Sequence, residues 1–442
     1  MYKTILEHKY LRLVTYIFFV LVFFFARTFM GIYIFGFRIG EIAIVGSLII
    51  FLISIFVYRK SEYFQNIKDY KIQIALILLF FSFLIMVYTS EGSFTNPYTF
   101  KSSSYIWTFG FFFFGLILFN KIEFKITYLY VFLISLLYIY FYSVFGIPEN
   151  IQNLILNYSD KFEYHKGSDL LIMFSVTFYL FNRVGNNKRL NFEIFIAFIS
   201  LYFPLMLYKS RGAFIAFVLF FVIELIVFRK HLTKNLKRNI LLFIVSSFLI
   251  IQSTFVVTKS GFIKLNEVDE KVIFVATYRA VPQEETRLFY INDNRLFSND
   301  GNLNWRLQIW QDVIKDLNNE NKLIIGNSFN EKIPAMDDPF RSGDDGTNEN
   351  VHNYFINILA RGGLIHLFLI LYIFYRLIKY SLINTKLLDI LSLLLPIAVT
   401  SFFDASMENS HFPLIFYFVF GISFYSNKLF NHYQIENSMV KS

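Results

Sequence analysis

Long apolar stretches separated by short polar ones make up most of this chain, and their alternation limits the folds open to it. Of its 442 residues, 56% are hydrophobic and 59 are Phe. A water-soluble fold cannot bury so much apolar surface, so the composition predicts an all-α polytopic membrane protein. Apolar runs of about 16–20 residues predict about 12 transmembrane helices. These runs lie near residues 11–27, 40–57, 72–89, 105–119, 126–145, 169–182, 190–208, 212–228, 239–257, 364–380, 388–403 and 411–426.

The basic residues predict how these helices are oriented. With a cytoplasmic N-terminus, the short cytoplasmic connections hold about three times as many Lys and Arg residues as the short outer ones. This bias follows the positive-inside rule and predicts that both termini are cytoplasmic. The chain has no cysteine, which excludes disulfides and thiolate metal sites.

One long polar segment divides the chain into three regions. Residues 1–257 are predicted to form a nine-span membrane region, and residues 258–363 a large periplasmic loop that contains amphipathic helices. Residues 364–442 are predicted to form three further spans and a cytoplasmic tail. The loop carries half of the 32 acidic residues. A loop of this length is usually functional or disordered.

Part of the loop has the periodicity of an amphipathic helix. Apolar residues recur there at spacings of three and four, which indicates one helical face: Leu303, Leu307, Trp310, Ile314 and Leu317. Arg306 lies one turn before Trp310, so its guanidinium is expected to lie against the Trp310 ring.

The loop ends in His352 and Asn353, just before the chain is predicted to re-enter the membrane. We expect His352 to lie on a short surface helix that bends at Gly362 and Gly363 into the tenth span, because glycine permits such a break. By itself, a histidine of this kind is more often structural than catalytic.

A third polar feature, Lys209-Ser210-Arg211-Gly212, forms a tight outer turn between the seventh and eighth spans. Alone, it would be an interfacial turn whose cations reach lipid phosphates. Arg306 alone would lie on a solvated helix face. Because this turn, Arg306 and His352 are predicted on the same side of the membrane, together they favour one shared site.

These three features together resemble the bacterial O-antigen ligase and O-antigen polymerase superfamily. The resemblance covers roughly residues 190–425 and rests on the turn at Lys209–Gly212, on Trp305-Arg306 with Trp310, and on His352-Asn353 followed by a glycine ten residues later. The chain departs from the family at Arg361, where an acidic residue is common.

The resemblance implies an inner-membrane glycosyltransferase of lipopolysaccharide biosynthesis, with its site on the periplasmic side. Such enzymes transfer a glycan from undecaprenyl diphosphate to a sugar hydroxyl, on lipid A core for a ligase and on the next repeat unit for a polymerase. It implies that Arg211 and Arg306, with Lys209 as a weaker candidate, bind diphosphate. His352 would accept the acceptor's proton or orient its hydroxyl, and Asn353 would orient the ring, the glycan or the local backbone. A single displacement is expected to invert the configuration of the anomeric carbon. Three supporting or acceptor-binding residues are expected: Arg361, Trp310 and Ser210.

Other readings of the sequence remain open. A flippase for the same lipid-linked glycan is the main alternative, although polar residues concentrate at one membrane face rather than at mid-membrane. No cofactor or metal is expected, because Asp337, Asp338, Asp344 and Asp345 lack the spacing of a calcium loop. Three residues of the last outer turn could reach the site, although no pattern in the sequence places them there: Asp404, Glu408 and His411.

Overall fold

The protein is mostly helical. The computed structural model describes residues 13, 30–57, 70–119, 126–146, 148–159, 165–184, 187–232, 235–258, 288–292, 294–338, 341, 348–382 and 387–423. By length and apolarity, six of the described helices can span a membrane, or seven if one bent pair counts as a single span. A helical membrane protein is therefore confirmed, whereas the count of twelve spans stays a prediction.

Every predicted apolar run from residue 40 onward coincides with helix where it is described, apart from a turn at residues 108–109, and residues 424–426 of the last run lie outside the described residues. The run at 11–27 also lies outside the described residues, except for Leu13. In chain order the helices are α1 (Ile39–Val57), α2 (Tyr70–Thr89), α3 (Pro97–Ser102), α4 (Ser104–Trp107), α5 (Gly110–Phe119), α6 (Ile126–Phe145), α7 (Glu149–Leu156), α8 (Gly167–Val184), α9 (Lys188–Lys209), α10 (Arg211–Leu232), α11 (Leu236–Thr258), α12 (Gly301–Asn319), α13 (Tyr354–Ser381), α14 (Leu387–Phe403) and α15 (His411–Ser423). Short 3₁₀ turns lie at Pro334–Met336 and Ser406–Glu408. Two antiparallel hairpins complete the described elements: β1 (Tyr33–Ile34) with β2 (Phe37–Arg38), and β3 (Phe289–Asn292) with β4 (Arg295–Ser298).

Helix α8 lies at the centre of the bundle. Each of its residues is buried, and it packs against α6, α9, α10, α14 and α15. Since protein rather than lipid surrounds it, it can carry charged residues at its two ends. At one end Arg183 pairs with Glu224 at 2.6 Å and with Asp389 at 3.0 Å. The burial of α8 among other helices explains why its sequence is a weak match to a lipid-facing span.

Helix α13 is broken within its length. Gly363 has φ 63° and ψ −166°, so the predicted bend at the glycine pair is confirmed. Residues 323–328 of the loop dock into the break. There Asn327 N and Ser328 N donate to the carbonyls of Ala360 and Arg361 at 2.7 and 3.0 Å, and two amides of α13 donate back, Leu364 N to Leu323 O and Ile365 N to Ile324 O. The backbone groups freed by the break are thus paired within the protein, as apolar surroundings require.

Helix α12 confirms the amphipathic helix predicted in the loop, and its predicted apolar face is confirmed in part. Of the predicted residues, Leu317 is buried and Trp310 packs against the same apolar cluster, whereas Ile314 is 45% exposed. Ile309 and Val313 also belong to the buried face. The β3–β4 hairpin covers polar positions of the helix as well. Gln308 Nε2 donates to Leu296 O at 3.0 Å, and Arg295 pairs with Asp312 at 2.7 Å.

Candidate functional site

Several elements meet at one end of the helical bundle, which we call the loop end: the α9–α10 junction, the first turn of α8, the start of α12 and the turn after α14. Ser168 Oγ donates to Asp404 Oδ2 at 2.5 Å, which ties α8 to that turn. Arg211 pairs with Asp300, which ties α10 to α12. These contacts bring together residues that are far apart in the sequence.

Arg211 begins α10 and extends into solvent, with its side chain 84% exposed. Its Nη1 donates to Asp300 Oδ2, while Asp300 Oδ1 accepts from Leu303 N at 2.9 Å and so caps α12. One carboxylate therefore binds a cation and a helix N-terminus at once. An arriving anion would compete with Asp300 for the Arg211 guanidinium.

Arg306 lies on the first turns of α12, between Asp300 and Asp404. Burial lowers the pKa of Arg306, and these two carboxylates act in the opposite direction. Its Nε is buried, and no hydrogen-bond partner lies within reach of it among the residues that the structure describes. Arg306 itself is half-buried, and a guanidinium with an unused donor in such surroundings is suited to binding an anion.

His352 lies in the loop just before α13 rather than on a helix, so its predicted placement on a surface helix is wrong. Its φ of 54° is left-handed, a conformation that non-glycine residues rarely adopt. The helix begins only at Tyr354, because Asn353 is its N-cap in extended conformation. The imidazole packs against Trp305 of α12, with ring centroids 5.0 Å apart and an interplanar angle of 59°.

The surroundings of His352 hold its ring neutral. Burial, the largest cause, and the nearby Arg306 cation together lower the pKa of His352 to about 4, while the Asp404 carboxylate acts to raise it. Near neutral pH the imidazole therefore has one ring nitrogen free to accept a proton. Arg306 and His352, separated by 46 positions, act on each other directly.

Asn353 has a structural contact that the sequence did not reveal. Its Oδ1 accepts from Phe355 N and Ile356 N, each at 3.0 Å, and so caps α13. The residue is buried, with 3% of its surface exposed. Asn353 therefore fixes the backbone that carries His352, whether or not it also meets a glycan.

The Lys209-Ser210-Arg211 turn points its side chains to different places. Lys209 lines a cleft of about 710 Å³ at the ends of α6, α9 and α11, together with Tyr208 and Thr258. Ser210 Oγ accepts from Ala213 N at 3.4 Å and so faces the start of α10. Arg211 is thus the member of the turn that contacts α12.

Trp310 and Arg361 lie around this group of residues. Trp310 Nε1 donates to Val351 O at 2.8 Å, which fixes the backbone just before His352. The expected stacking of Arg306 on Trp310 is not found among the described cation–π contacts. Arg361 is buried on α13, where it donates to Glu331 O and, at 2.8 Å, to Tyr98 OH.

Asp300 and Asp169 of the loop end were not identified from the sequence, whereas Trp305 was named only as part of a motif, and Asp404 and His411 only as residues that could reach the site. Asp300 pairs with Arg211, Trp305 packs against His352, and Asp404 acts on His352 through its charge. Asp169 Oδ1 and His411 Nε2 are hydrogen-bonded at 2.7 Å, and both residues are buried. Only the Asp300 cap carried a local signal, since Asp precedes the helical periodicity by three residues. The other contacts join distant segments and leave no pattern in one sequence.

The described residues contain no group of three or more His, Asp or Glu side chains arranged to hold a metal ion. Asp337 and Asp338 are described, while Asp344 and Asp345 lie outside the described residues. Metal independence stays a prediction.

Residues 195–373 match the family described as O-antigen ligase. This segment is similar to that family. The matched segment includes Arg211, Arg306, His352 and Asn353, and it ends within α13. A search of curated proteins finds no significant match.

The predicted resemblance to the O-antigen ligase and polymerase superfamily is therefore confirmed, and the match supports a glycosyltransferase-like enzyme. The matched segment contains Arg211, Arg306 and His352, whereas Asp404 and His411 lie in the chain that follows it. The candidate site thus combines an exposed cation, a half-buried cation with an unused donor and a neutral imidazole.

Proposed function

We propose that this protein transfers a glycan from undecaprenyl diphosphate to a sugar hydroxyl at the periplasmic face of the bacterial inner membrane. The observation that carries the proposal is the convergence of Arg211, Arg306 and neutral His352 at the loop end. Transfer to lipid A core would make the enzyme an O-antigen ligase. Transfer to another repeat unit would make it a polysaccharide polymerase.

In the proposed reaction, an acceptor oxygen attacks the anomeric carbon as the bond from that carbon to the diphosphate oxygen breaks. The bonding electrons leave with the polyprenyl diphosphate, whose developing charge Arg211 and Arg306 stabilise. Arginine suits this task because its planar guanidinium donates to two oxygens at once. A single displacement of this kind inverts the anomeric configuration.

His352 is proposed to take the proton that the acceptor hydroxyl loses. Its low pKa makes it a weak base in the free protein, but it ensures that the ring is unprotonated before the substrate binds. A bound diphosphate brings negative charge next to Arg306, which offsets the repulsion from that cation and raises the basicity of the imidazole. Donor binding thus activates the base.

The supporting residues have proposed roles that follow from their contacts. Asn353 and Trp310 position the backbone on either side of His352. Ser210 holds the start of α10, from which Arg211 projects. Lys209 lines the neighbouring cleft at the ends of α6, α9 and α11, where it is suited to a part of the donor away from the reacting bond. No cofactor or metal takes part in the proposed reaction.

Glycan transfer in reconstituted vesicles tests the proposal. The substrates are undecaprenyl-diphosphate glycan with and without lipid A core, and the proteins are wild type, His352→Ala and Arg306→Ala. For a ligase, the wild type is expected to transfer glycan to lipid A core, and both variants are expected to lose this activity. For a polymerase, the wild type is expected to extend the glycan without core, and both variants are expected to lose that activity. If the wild type forms neither product but moves the labelled lipid across the bilayer, the protein is a flippase and the proposal fails.

A further inference from the structure

The β1–β2 hairpin and α7 form an apolar surface that lies outside the candidate site. The hairpin presents four large exposed side chains: Tyr33, Ile34, Phe35 and Phe37. Phe35, at its tip, is 97% exposed. None of the eight residues of α7 is buried, and its exposed apolar residues include Ile151 and Leu154. A contiguous exposed apolar surface of this kind marks an interaction site.

Backbone hydrogen bonds join the two elements into one surface. Tyr33 N donates to Tyr158 O at 3.0 Å, and Ile32 forms an antiparallel bridge with Ser159. The chain that follows α7 therefore lies along the edge of β1. We call residues 32–38 and 149–159 together the hairpin surface.

The turn of the hairpin holds an aromatic ring where a small residue would suit the backbone better. Phe35 and Gly36 have φ of 51° and 81°, as in the tight two-residue turn in which asparagine or glycine is usual at the first position. A bulky residue rarely adopts this left-handed conformation. The Phe35 ring gains little from packing within the described chain, because it is almost wholly exposed. It is therefore suited to a partner outside the chain.

Helix α7 is amphipathic. Ile151, Leu154 and Ile155 lie on one face, whereas Glu149 and Asn153 lie on the opposite face. An isolated helix of eight residues is marginal in water. Because the protein buries neither face, the apolar face needs another apolar surface, and a membrane interface supplies one to a helix of this kind.

Both parts of the hairpin surface are attached to spanning helices at their ends. Strand β2 ends at Arg38, directly before α1, which is long and apolar enough to cross a membrane. The 20 residues of α6 extend about 30 Å, the thickness of the hydrocarbon core, so α6 can span without α7. Helix α7 is bent by 98° relative to α6. It therefore runs along the membrane plane at the boundary between lipid and water.

The two attachments lie on the same side of the protein, at the loop end. A Cβ added to Gly40, in the first turn of α1, would lie 2.6 Å from Ser410 Oγ in the turn after α14. Phe145, the last residue of α6, lines the same cleft as Lys209 of the α9–α10 junction. The hairpin surface and the candidate site therefore face the same leaflet.

The hairpin surface is continuous with the lipid-facing side of α1. Ile42, Val45 and Ile49 are exposed at spacings of three and four along that helix. Between them and the hairpin tip, Arg38 Nε donates to Tyr33 OH at 3.1 Å. Tyrosine and basic side chains are typical of the lipid–water boundary. Lipid that covers this side of α1 also reaches the hairpin, which favours lipid over a second protein as the partner.

We propose that the hairpin surface binds the lipid leaflet at the loop end, with Phe35 and the apolar face of α7 inserted below the headgroups. This binding is independent of the transfer reaction. Because α1 and α6 carry the surface, it resists their movement along the membrane normal. It thereby holds the loop end at a fixed height above the leaflet.

Spin labels on single cysteines test the proposal in reconstituted vesicles. The chain has no cysteine, so each variant carries one label. Phe35→Cys and Leu154→Cys report on the hairpin surface. Three exposed positions are references: Val45→Cys on α1, Asn153→Cys on the opposite face of α7, and Lys315→Cys on α12. Power saturation compares how often each label collides with oxygen, which concentrates in lipid, and with a water-soluble nickel chelate.

The ratio of oxygen to nickel collisions at Phe35→Cys and Leu154→Cys is expected to exceed that at Asn153→Cys and Lys315→Cys. It is expected to stay below that at Val45→Cys, which lies deeper. All five side chains are exposed, so the fold should tolerate the labels, and thermal unfolding of each variant beside wild type checks this.

Two results would overturn the proposal. If Phe35→Cys and Leu154→Cys both give the ratio found at Lys315→Cys, the hairpin surface lies in water. If their spectra show dipolar broadening that disappears when labelled protein is diluted with unlabelled protein, a second copy of the chain covers the surface instead of lipid.

Discussion

The ring of Trp305 lies against the imidazole of His352, with their centroids 5.0 Å apart. One residue belongs to α12 and the other to the loop that precedes α13. The contact covers one face of the imidazole and contributes to the burial that lowers its pKa. The arginine next to Trp305 in the sequence adds a positive charge, so the start of α12 controls the protonation of His352 in two ways.

This control predicts the acid limb of the pH profile. The neutral form of the His352 ring, and with it activity, should be lost only as the pH falls through about 4, rather than through the ordinary pKa near 6.5. Arg306→Gln removes a repulsion and should move the acid limb of kcat/KM to higher pH. Asp404→Asn removes an attraction and should move it to lower pH. Shifts of the same sign in the two variants would contradict the electrostatic account, and titration of the His352 ring by NMR provides the independent measurement.

Removing the Arg306 cation should weaken stabilisation of the charge that develops in the transition state. Arg306→Gln is expected to lower kcat/KM for the donor by about 10²–10³-fold, the cost typical of losing one preorganised donor at a developing charge. Lys315→Gln is the matched control, because Lys315 is exposed on the same helix. A comparable loss in the control would point to damage of α12 rather than to loss of a specific contact.

Asp300 should compete with the donor diphosphate for the Arg211 guanidinium. Asp300→Asn retains an oxygen that can cap α12 but removes the negative charge that pairs with Arg211. The Arg211 guanidinium is then more available to the diphosphate, so the KM for donor should fall by a few-fold. Asp300→Ala also loses the cap and should destabilise the protein by about 1 kcal/mol. Thermal unfolding in detergent separates the two variants. An increase in donor KM for Asp300→Asn would show instead that the pair with Arg211 is needed for binding.

Because His352 has a left-handed backbone conformation, two substitutions there can separate the role of the imidazole ring from that of the backbone conformation. His352→Gly and His352→Ala both remove the imidazole and should abolish transfer. Only alanine must hold an unfavourable φ, so the glycine variant should be more stable by about 1 kcal/mol. Equal melting temperatures would mean that the loop relaxes to another conformation in one of the variants.

A stability test applies to the break in α13. Gly363→Ala should be severely destabilising, because Gly363 has a positive φ and a Cβ there would collide with the carbonyl of Ile324. Gly46→Ala is the control within a span: no atom lies within 4 Å of its added Cβ, and alanine favours helix by up to about 1 kcal/mol. The yield of monodisperse protein and its melting temperature would report both effects.

The sequence predicted the helical architecture because apolar length and glycine position are local signals. The bend at Gly362-Gly363 is an example, and so is the helix at residues 303–317. The face that α12 buries was predicted only in part, because the β3–β4 hairpin, which covers Gln308 and Asp312, comes from residues before the helix. Periodicity reports where apolar side chains lie, and it cannot report that another segment covers the polar ones.

Short motifs led to the prediction that Arg211, Arg306 and His352 share a site; the structure brings all three to the loop end, and their roles stay predictions. The contacts of these residues could not be predicted: Asp300 with Arg211, Trp305 with His352, and Asp404 with both His352 and Arg306. Each of these is an ordinary loop or helix residue until the fold brings it close to the others.

The docking of residues 323–328 into the break of α13 has a consequence for how the protein assembles. In lipid, an open break would leave two carbonyls and two amides without partners, each at a cost of several kcal/mol. We therefore expect the two halves of α13 to be stable together only once residues 323–328, which come earlier in the chain, have docked into the break. The same segment follows α12 directly, so its docking also holds α12, with Trp305 and Arg306, near His352.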